Sequence, residues 1–299
     1  MKQKIIFYIR TLFKENKVHG CNGMNDGVYY PLFEKIFGMS IFDYRDKVHQ
    51  IQLQNLRTIS TDIIENFYEE NLSLKYNSPF SMTQKSAIEK LAALDDDCIV
   101  IPLDDDDWIS PEVAHLEFDH DALNIWRTIT LSPFHKNGYR YHDYSEEVFD
   151  CDLRNDEILK NFKRLLSNCA AIPGRFVKQL AKANDIKGLS RLLQLHTQPR
   201  IYIRETGIIK KEKIYHQYIS VYVKHLANVT RMCGWNSLDA NAESIKAELS
   251  CDSNLIAQFD PSFESYLPSD YQWAECYQRQ LIELNRSLPF NFNNRIIPT

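Results

Sequence analysis

The stretch IVIPLDDDDWISPE, residues 99–112, places four consecutive aspartates directly after an apolar run. The β-branched residues of that run predict a buried strand over 98–103. Its carboxyl end then carries Asp104–Asp107 and Trp108. Because like charges repel and ionised carboxylates resist burial, four acids at the end of a core strand raise the question of what compensates them.

A divalent cation would compensate these acids. Open α/β sheets bind ligands outside the carboxyl ends of their strands. Side chains at i and i+2 of an extended chain point the same way, so Asp104 with Asp106, or Asp105 with Asp107, are expected to converge on one ion. Mg²⁺ and Mn²⁺ are typically held by one or two carboxylates plus substrate phosphates. The alternative is an acidic turn exposed to solvent.

Other acidic and phosphate-binding motifs fit this sequence less well. An EF-hand beginning at Asp104 would need glycine at position 109 and glutamate at position 115, where the chain has Ile109 and His115. The sequence contains no G-x-x-x-x-G-K-[ST], G-x-G-x-x-G, G-x-S-x-G or H-E-x-x-H motif. A strand-end metal and phosphate site is therefore the favoured interpretation.

The rest of the chain alternates predicted strands with predicted helices, which indicates an α/β fold with a mixed or parallel sheet flanked by helices. We expect a domain over 1–232 and a helical C-terminal extension over 233–299. The predicted strands are 4–10, 98–103, 124–132 and 200–205, with a strand or short helix at 219–226 and a hairpin arm at 138–149. Helical spacing marks 45–70, 82–94, 155–167, 175–195, 238–249 and 269–287, and 20–27 predicts a loop.

Composition narrows the class of protein. A chain of 299 residues with 44% apolar residues has enough material for a sizeable core. Its seven cysteines are odd in number and form no C-x-x-C pair, which favours reduced thiols in a cytosol over a zinc knuckle or a disulfide framework. The N-terminal apolar run is interrupted by Arg10 and Lys14, and we interpret it as a strand, not a signal peptide. No run approaches the roughly 18 apolar residues of a membrane helix, so a cytoplasmic location is expected, with peripheral contact at a membrane left open.

Two segments give the chain a resemblance to a known family. AIEKLAAL, residues 87–94, followed by DDDCIVIPLDDDDWISPE, residues 95–112, resembles the GT-A glycosyltransferases, above all bacterial family-two-like enzymes and a rhamnosyltransferase group. In that fold an N-terminal strand opens a nucleotide-binding sheet, and a later strand ends in a D-x-D motif. KIIFYIR, starting at residue 4, takes the place of that first strand. The resemblance implies that Asp104 and Asp106 hold Mn²⁺ or Mg²⁺ on the diphosphate of a nucleotide-sugar, with Asp105 and Asp107 adjoining.

The resemblance also assigns roles outside the aspartates. The run SVYVKHLANVT, residues 220–230, resembles the histidine run of that group, so His225 would complete metal or diphosphate binding, with His216 as its substitute. Lys85 stands where the family often has an arginine that contacts the diphosphate. Arg10 is the candidate for the nucleotide. Trp108 is expected to stack on a sugar, to wall the donor pocket or to pack in the core, and these alternatives stay open.

The expected reaction is metal-dependent transfer of a sugar from a nucleotide-sugar donor to an acceptor hydroxyl. An inverting enzyme needs a general base, for which Glu205 and Asp152, with Asp150 beside it, are candidates. The acceptor is expected to be a glycan, a lipid-linked saccharide or another hydroxyl compound, and the net charge of −5 does not favour nucleic acid. The alternatives are a nucleotidyl or phosphoryl transferase with the same acidic strand end, and a non-catalytic binding protein.

Overall fold

The computed structural model describes residues 3–11, 34, 38–67, 85–131, 139–141, 169–193 and 198–223. Within these residues lie eight strands and five α-helices. In chain order they are β1 (Ile5–Thr11), α1 (Ile41–Ile59), β2 (Ile63–Phe67), α2 (Lys85–Ala92), β3 (Ile99–Asp104), β4 (Trp108–Ile109), β5 (Ala122–Leu131), β6 (Tyr139–Tyr141), β7 (Ala170–Pro173), α3 (Gly174–Lys182), α4 (Ile186–Leu193), α5 (Gln198–Thr206) and β8 (Lys211–Val223), with a 3-10 helix at Pro111–His115.

The strands form one mixed sheet in the order β2-β1-β3-β7-β5-β8-β4, and β6 pairs with β5. β1 is parallel to both β2 and β3, while β7 is antiparallel to both β3 and β5. β5 is parallel to β8, and β4 is antiparallel to β8. It follows that β1, β2, β3, β5 and β8 share one direction and end at the same edge, which we call the carboxyl edge. The predicted α/β class with a mixed sheet flanked by helices is confirmed.

The connection from β3 to β4 shows that this sheet is curled. In a flat sheet β4 would lie four strand spacings from β3, about 19 Å away. The chain from Asp104 to Trp108 can span at most about 14 Å, and it contains a turn in which the Asp107 amide donates to the Asp104 carbonyl at 3.3 Å. The sheet therefore curves until β4 returns toward the end of β3.

The core lies around β1 and β3, whose apolar side chains are buried throughout. Near-continuous apolar runs of this kind are typical of strands covered on both faces. The helices add apolar residues at helical spacing, namely Leu53 and Leu56 from α1, Ala87, Ile88 and Leu91 from α2, and Val177, Leu180 and Ala181 from α3. None of the helices in the described part of the chain combines the length and apolar character needed to cross a bilayer.

The predicted helix over 45–70 is wrong in its second part. α1 ends at Ile59, and the C-capping residue Ser60 is extended, with φ −151° and ψ 144°. The Ser60 hydroxyl donates to the Ile5 carbonyl at 2.7 Å, which ties the end of the helix to β1. Ile63 and Ile64 then pair with β1 as part of β2. Two adjacent β-branched residues favour the strand, because a strand accommodates their restricted χ1 angles.

The predicted strand RIYIRE, residues 200–205, is also wrong, since these residues lie within α5. Pro199 at the second helical position has its φ angle already set for a helix, and Tyr202 and Ile203 are buried. The strand that follows, β8, begins at Lys211, eight residues before the predicted start. The predicted helix 175–195 is two helices, α3 and α4, separated near Asn184, which has φ +53°.

The other predicted elements within the described residues are confirmed, namely the strands over 4–10, 98–103 and 124–132 and the short helix within 82–94. Of the predicted hairpin arm, β6 is described, and it pairs with β5. The predicted loop 20–27, the helix 155–167 and the C-terminal helices lie outside the described residues, as does the predicted extension 233–299.

Candidate functional site

The four aspartates form a tight turn between β3 and β4, which we call the acid turn (Asp104–Asp107). The Asp107 amide donates to the Asp104 carbonyl at 3.3 Å, and the Asp104 amide donates to Asp107 Oδ2 at 3.4 Å. Because residues 105 and 106 form the turn, the i and i+2 alternation expected of an extended chain does not apply here. The turn instead folds Asp107 back over Asp104.

Two arginines, one from β1 and one from α1, form ion pairs with the acid turn. Arg10, the partner of Asp104 in the register of β1 and β3, forms an ion pair with the Asp104 carboxylate. Arg45 of α1 donates from Nη2 to both oxygens of Asp105, at 2.8 and 3.0 Å. The side chains of Arg45 and Asp105 are 8% and 9% exposed, so this ion pair is buried. Asp105 thus has both oxygens engaged by the protein.

The backbone of the acid turn is held by amide side chains of α1. Gln52 Nε2 donates to the carbonyls of Asp104 and Asp107, at 2.5 and 2.7 Å. One helical turn further on, Asn55 Nδ2 donates to the Ile109 carbonyl at 2.9 Å. α1 therefore contacts the chain from the end of β3 to the end of β4.

The acid turn brings four carboxylates together in a buried place. Asp105, Asp106 and Asp107 are 7%, 6% and 0% exposed. Arg10 forms an ion pair with Asp104, and Arg45 forms one with Asp105. Burial raises the pKa of Asp104 and of Asp107, and the neighbouring carboxylates raise both further, against the effect of Arg10. Asp107 Oδ1 is buried and accepts no hydrogen bond from any described residue.

Further polar groups of α1 surround this cluster. His49 Nε2 lies 2.8 Å from Glu65 Oε1 of β2. Burial together with the charge of Asp106 raises the pKa of Tyr44 to about 12. α1 therefore presents Tyr44, Arg45, His49 and Gln52 toward the acid turn or its immediate neighbours.

The donor set fits a cation only in part. Among the residues that the structure describes, no group of three carboxylate, imidazole or thiol side chains could hold a metal ion. Asp105 is held by Arg45 and Asp104 by Arg10, while Asp107 Oδ1 is a buried acceptor without a hydrogen bond from a described residue. One or two carboxylates are the share that a protein usually provides when phosphate oxygens complete the shell of Mg²⁺. The chemistry of the turn is compatible with a cation that arrives with a phosphate ligand.

The other predicted site residues are dispersed. Lys85 is exposed at the first residue of α2. Trp108 is 1% exposed, in β4 opposite Val221 of β8, so of the three predicted alternatives it packs in the core. His216 is exposed on β8. His225 and Asp152, together with Asp150, Asn228 and Thr230, lie outside the described residues.

Glu205 lies away from the acid turn. It is exposed on α5, where its Oε2 accepts a hydrogen bond from Arg191 at 2.6 Å. That hydrogen bond lowers the pKa of Glu205, which weakens it as a base. α5 leads into the amino end of β8, and β8 runs parallel to β5. Glu205 therefore lies near the edge of the sheet opposite the acid turn.

Sequence reasoning missed the contribution of α1. Arg45, His49 and Gln52 occur at positions i, i+4 and i+7, so they share one face of the helix. All three are buried, at 8%, 7% and 0% exposure. A polar stripe at helical spacing beside Leu53 and Leu56 was the available signal. The apolar residues alone predict the helix but not its contacts with the acid turn.

Comparison with models of known protein families and with curated proteins gives no match to this chain.

Proposed function

We propose that this protein is a metal-dependent glycosyltransferase, which moves a sugar from a nucleotide-sugar donor to an acceptor hydroxyl. The observation that carries this proposal is the buried acid turn at the carboxyl edge, where Asp107 is fully buried and its Oδ1 accepts no hydrogen bond from a described residue. Ligands of α/β sheets bind at this edge. The resemblance of residues 87–112 to GT-A enzymes supports the choice of donor.

Each residue of the acid turn has a distinct part in this proposal. One or two of the carboxylates of Asp104, Asp106 and Asp107 would hold Mn²⁺ or Mg²⁺ together with phosphate oxygens, while Asp105 anchors the turn to Arg45. When bound, the ion supplies Lewis-acid neutralisation of the nucleotide diphosphate. Arg10 orients Asp104 and adds a fixed positive charge beside it. Lys85 and His225 are the proposed diphosphate contacts, and Asp152 is the proposed general base.

The test is a thermal-shift panel of UDP-, GDP-, dTDP- and CMP-sugars, each with and without Mn²⁺. A ligand that binds only the native state raises the melting temperature, and the increase grows with the logarithm of the ratio of ligand concentration to Kd. We expect one donor class to stabilise the protein and to do so only with Mn²⁺. If no donor produces a Mn²⁺-dependent shift, the proposal is wrong. Analysis of the products then separates sugar transfer from nucleotidyl transfer.

The first variant to measure is Asp106→Asn. It should abolish transfer and the Mn²⁺-dependent shift while the protein still melts cooperatively, because the amide keeps the shape of the side chain and loses its charge. Asp97→Asn is the matched control, since Asp97 belongs to the preceding aspartate run and is exposed. D97N should behave as the wild type. Wild-type transfer by D106N would remove Asp106 from the metal site.

A further inference from the structure

The side chain of Gln52 is engaged in an unusual way for a helical glutamine. It is fully buried on α1, and its amide nitrogen donates to two backbone carbonyls that lie three residues apart, Asp104 O at 2.5 Å and Asp107 O at 2.7 Å. The second donor–acceptor link across the turn, from the Asp107 amide to the Asp104 carbonyl, is longer, at 3.3 Å. At each end of the acid turn, the hydrogen bond from Gln52 is thus shorter than this backbone hydrogen bond.

These contacts determine which groups of the turn face the helix. The carbonyl oxygens of Asp104 and Asp107 both accept a hydrogen bond from the Gln52 amide nitrogen. A carbonyl oxygen buried beside carboxylates without a donor would cost about 1–3 kcal/mol. The same amide fixes both ends of the turn, and with them the positions from which the side chains of Asp104 and Asp107 project.

The neutrality of the glutamine also matters. Arg10 and Arg45 each form an ion pair with one aspartate, and a third cationic side chain at position 52 would compete with a metal ion for the carboxylates. An amide provides two N–H donors without any positive charge. It can therefore order the turn and leave its affinity for a cation intact.

From these contacts we infer that Gln52 is a positioning residue for the acid turn, which sets the spacing of the carboxylates so that they can bind a divalent cation together with a nucleotide diphosphate. This inference rests on the proposed function. Asn55, which holds the Ile109 carbonyl at 2.9 Å, extends the same support toward β4. Such supporting contacts typically contribute 10- to 100-fold to metal affinity.

The experiment measures Mn²⁺ affinity by the electron paramagnetic resonance signal of free Mn²⁺, in the presence of saturating UDP, GDP or dTDP. Two variants of the full chain are compared with the wild type. Gln52→Met keeps the volume and removes both donors, while Gln52→Asn keeps the amide but shortens it by one methylene. We expect both to weaken Mn²⁺ binding about tenfold or more, with Q52M the weaker binder.

Two controls separate positioning from a loss of stability. Gln54→Met makes the same change at an exposed position of α1 and should bind Mn²⁺ as the wild type does. Tyr215→Phe removes a hydroxyl that donates to the Glu117 carbonyl at 2.6 Å, in the amino-terminal half of β8. Y215F should lower the melting temperature without changing Mn²⁺ affinity, which is the behaviour of a merely structural residue.

The outcomes are distinct. If the wild type binds no Mn²⁺ with any of the nucleotides, the proposed function fails, and the inference fails with it. If the wild type binds and the folded Q52M and Q52N variants bind equally well, the inference alone is overturned. If neither variant folds, or if both lose stability with unchanged affinity as Y215F does, Gln52 has a structural role and the inference is likewise overturned.

Discussion

Asp105 and Arg45 form the contact that most directly fixes the acid turn to its supporting helix. Burial lowers the pKa of Arg45, but the carboxylates of Asp105, Asp106 and Asp104 raise it by more, so the guanidinium stays charged. Taking two ions out of water is expensive, and their attraction offsets this cost only when the geometry is good. Here both oxygens of Asp105 accept from Arg45, and removal of one partner would leave an uncompensated buried charge.

We therefore expect Arg45→Met to lower the free energy of unfolding by about 3–5 kcal/mol, the usual cost of breaking a buried ion pair. The double variant R45M/D105L should recover part of that loss, because an apolar pair of similar volume leaves neither Arg45 nor Asp105 buried without its partner. Urea denaturation of the single and double variants measures both effects. Arg57→Met, at an exposed position of the same helix, should stay within about 0.5 kcal/mol of the wild type. A wild-type unfolding curve for R45M would contradict the prediction.

At the scale of elements, α1 is joined to β2 by a second ion pair, between His49 and Glu65. Burial lowers the pKa of His49, but the hydrogen bond to Glu65 and the charges of Asp105 and Glu65 raise it by more. The hydrogen bond from His49 lowers the pKa of Glu65, against the effect of burial and with small contributions from Lys90 and Arg57. The folded state therefore favours the charged form of both groups.

These two directions define a pH window for the stability of the pair. The contribution of His49 is complete below its ordinary pKa of 6.5 and is lost as the pH rises through the raised value. The contribution of Glu65 is complete above its ordinary pKa of 4.5 and is lost as the pH falls through the lowered value. The pair should stabilise the fold most between those two ordinary values and fade at alkaline pH.

Glu65→Gln should accordingly be less stable than the wild type by about 1 kcal/mol within that window, and the difference should shrink at alkaline pH. The measurement is urea denaturation of both proteins in a pH series. Glu89→Gln, on the exposed face of α2, serves as the control and should show no such pH dependence. A constant difference between E65Q and the wild type across the series would count against the ion pair.

The sequence allowed the elements with strong local patterns to be predicted, and α1 shows where such prediction ends. The apolar run before Asp104 identified β3, and the four acids identified the candidate site. The end of α1 and the start of β2 depend on the hydrogen bond between Ser60 and Ile5, which are far apart in the sequence. The helix at 200–205 depends on tertiary packing, since Tyr202 and Ile203 are buried. Arg45 and Gln52 could not be assigned to the site, because their partners lie 60 and 52–55 residues away in the chain.

At the scale of the whole molecule, a single short strand joins two parts of the sheet. β7 has four residues, and it pairs with β3 through Pro173 and Ile172 and with β5 through Ala171 and Ala170. On one side lie β1, β2 and β3, and β3 leads into the acid turn; on the other lie β5, β8 and β4, and the turn leads into β4. The geometry of the acid turn therefore depends on how β7 holds these two parts together.

Gly174, directly after β7, packs closely against Cys98, the residue that precedes β3. Its amide donates to the Cys98 carbonyl at 2.7 Å, and a Cβ atom added there would lie 2.2 Å from Cys98 Sγ and 3.0 Å from Cys98 O. We expect Gly174→Ala to lower the free energy of unfolding by about 1–3 kcal/mol, the usual cost of overpacking a core, as measured by thermal and urea denaturation.

The double variant C98A/G174A tests whether that cost arises at the contact itself. It should recover part of the loss caused by G174A, because Sγ is the atom that the new methyl group would meet first. Recovery should be incomplete, since the carbonyl oxygens of Cys98 and Asp95 remain within 3.0 and 3.2 Å of the added atom. If the effects of C98A and G174A were simply additive, the cost would not arise from this contact. That result would mean that the space between Gly174 and Cys98 can accommodate the added methyl group.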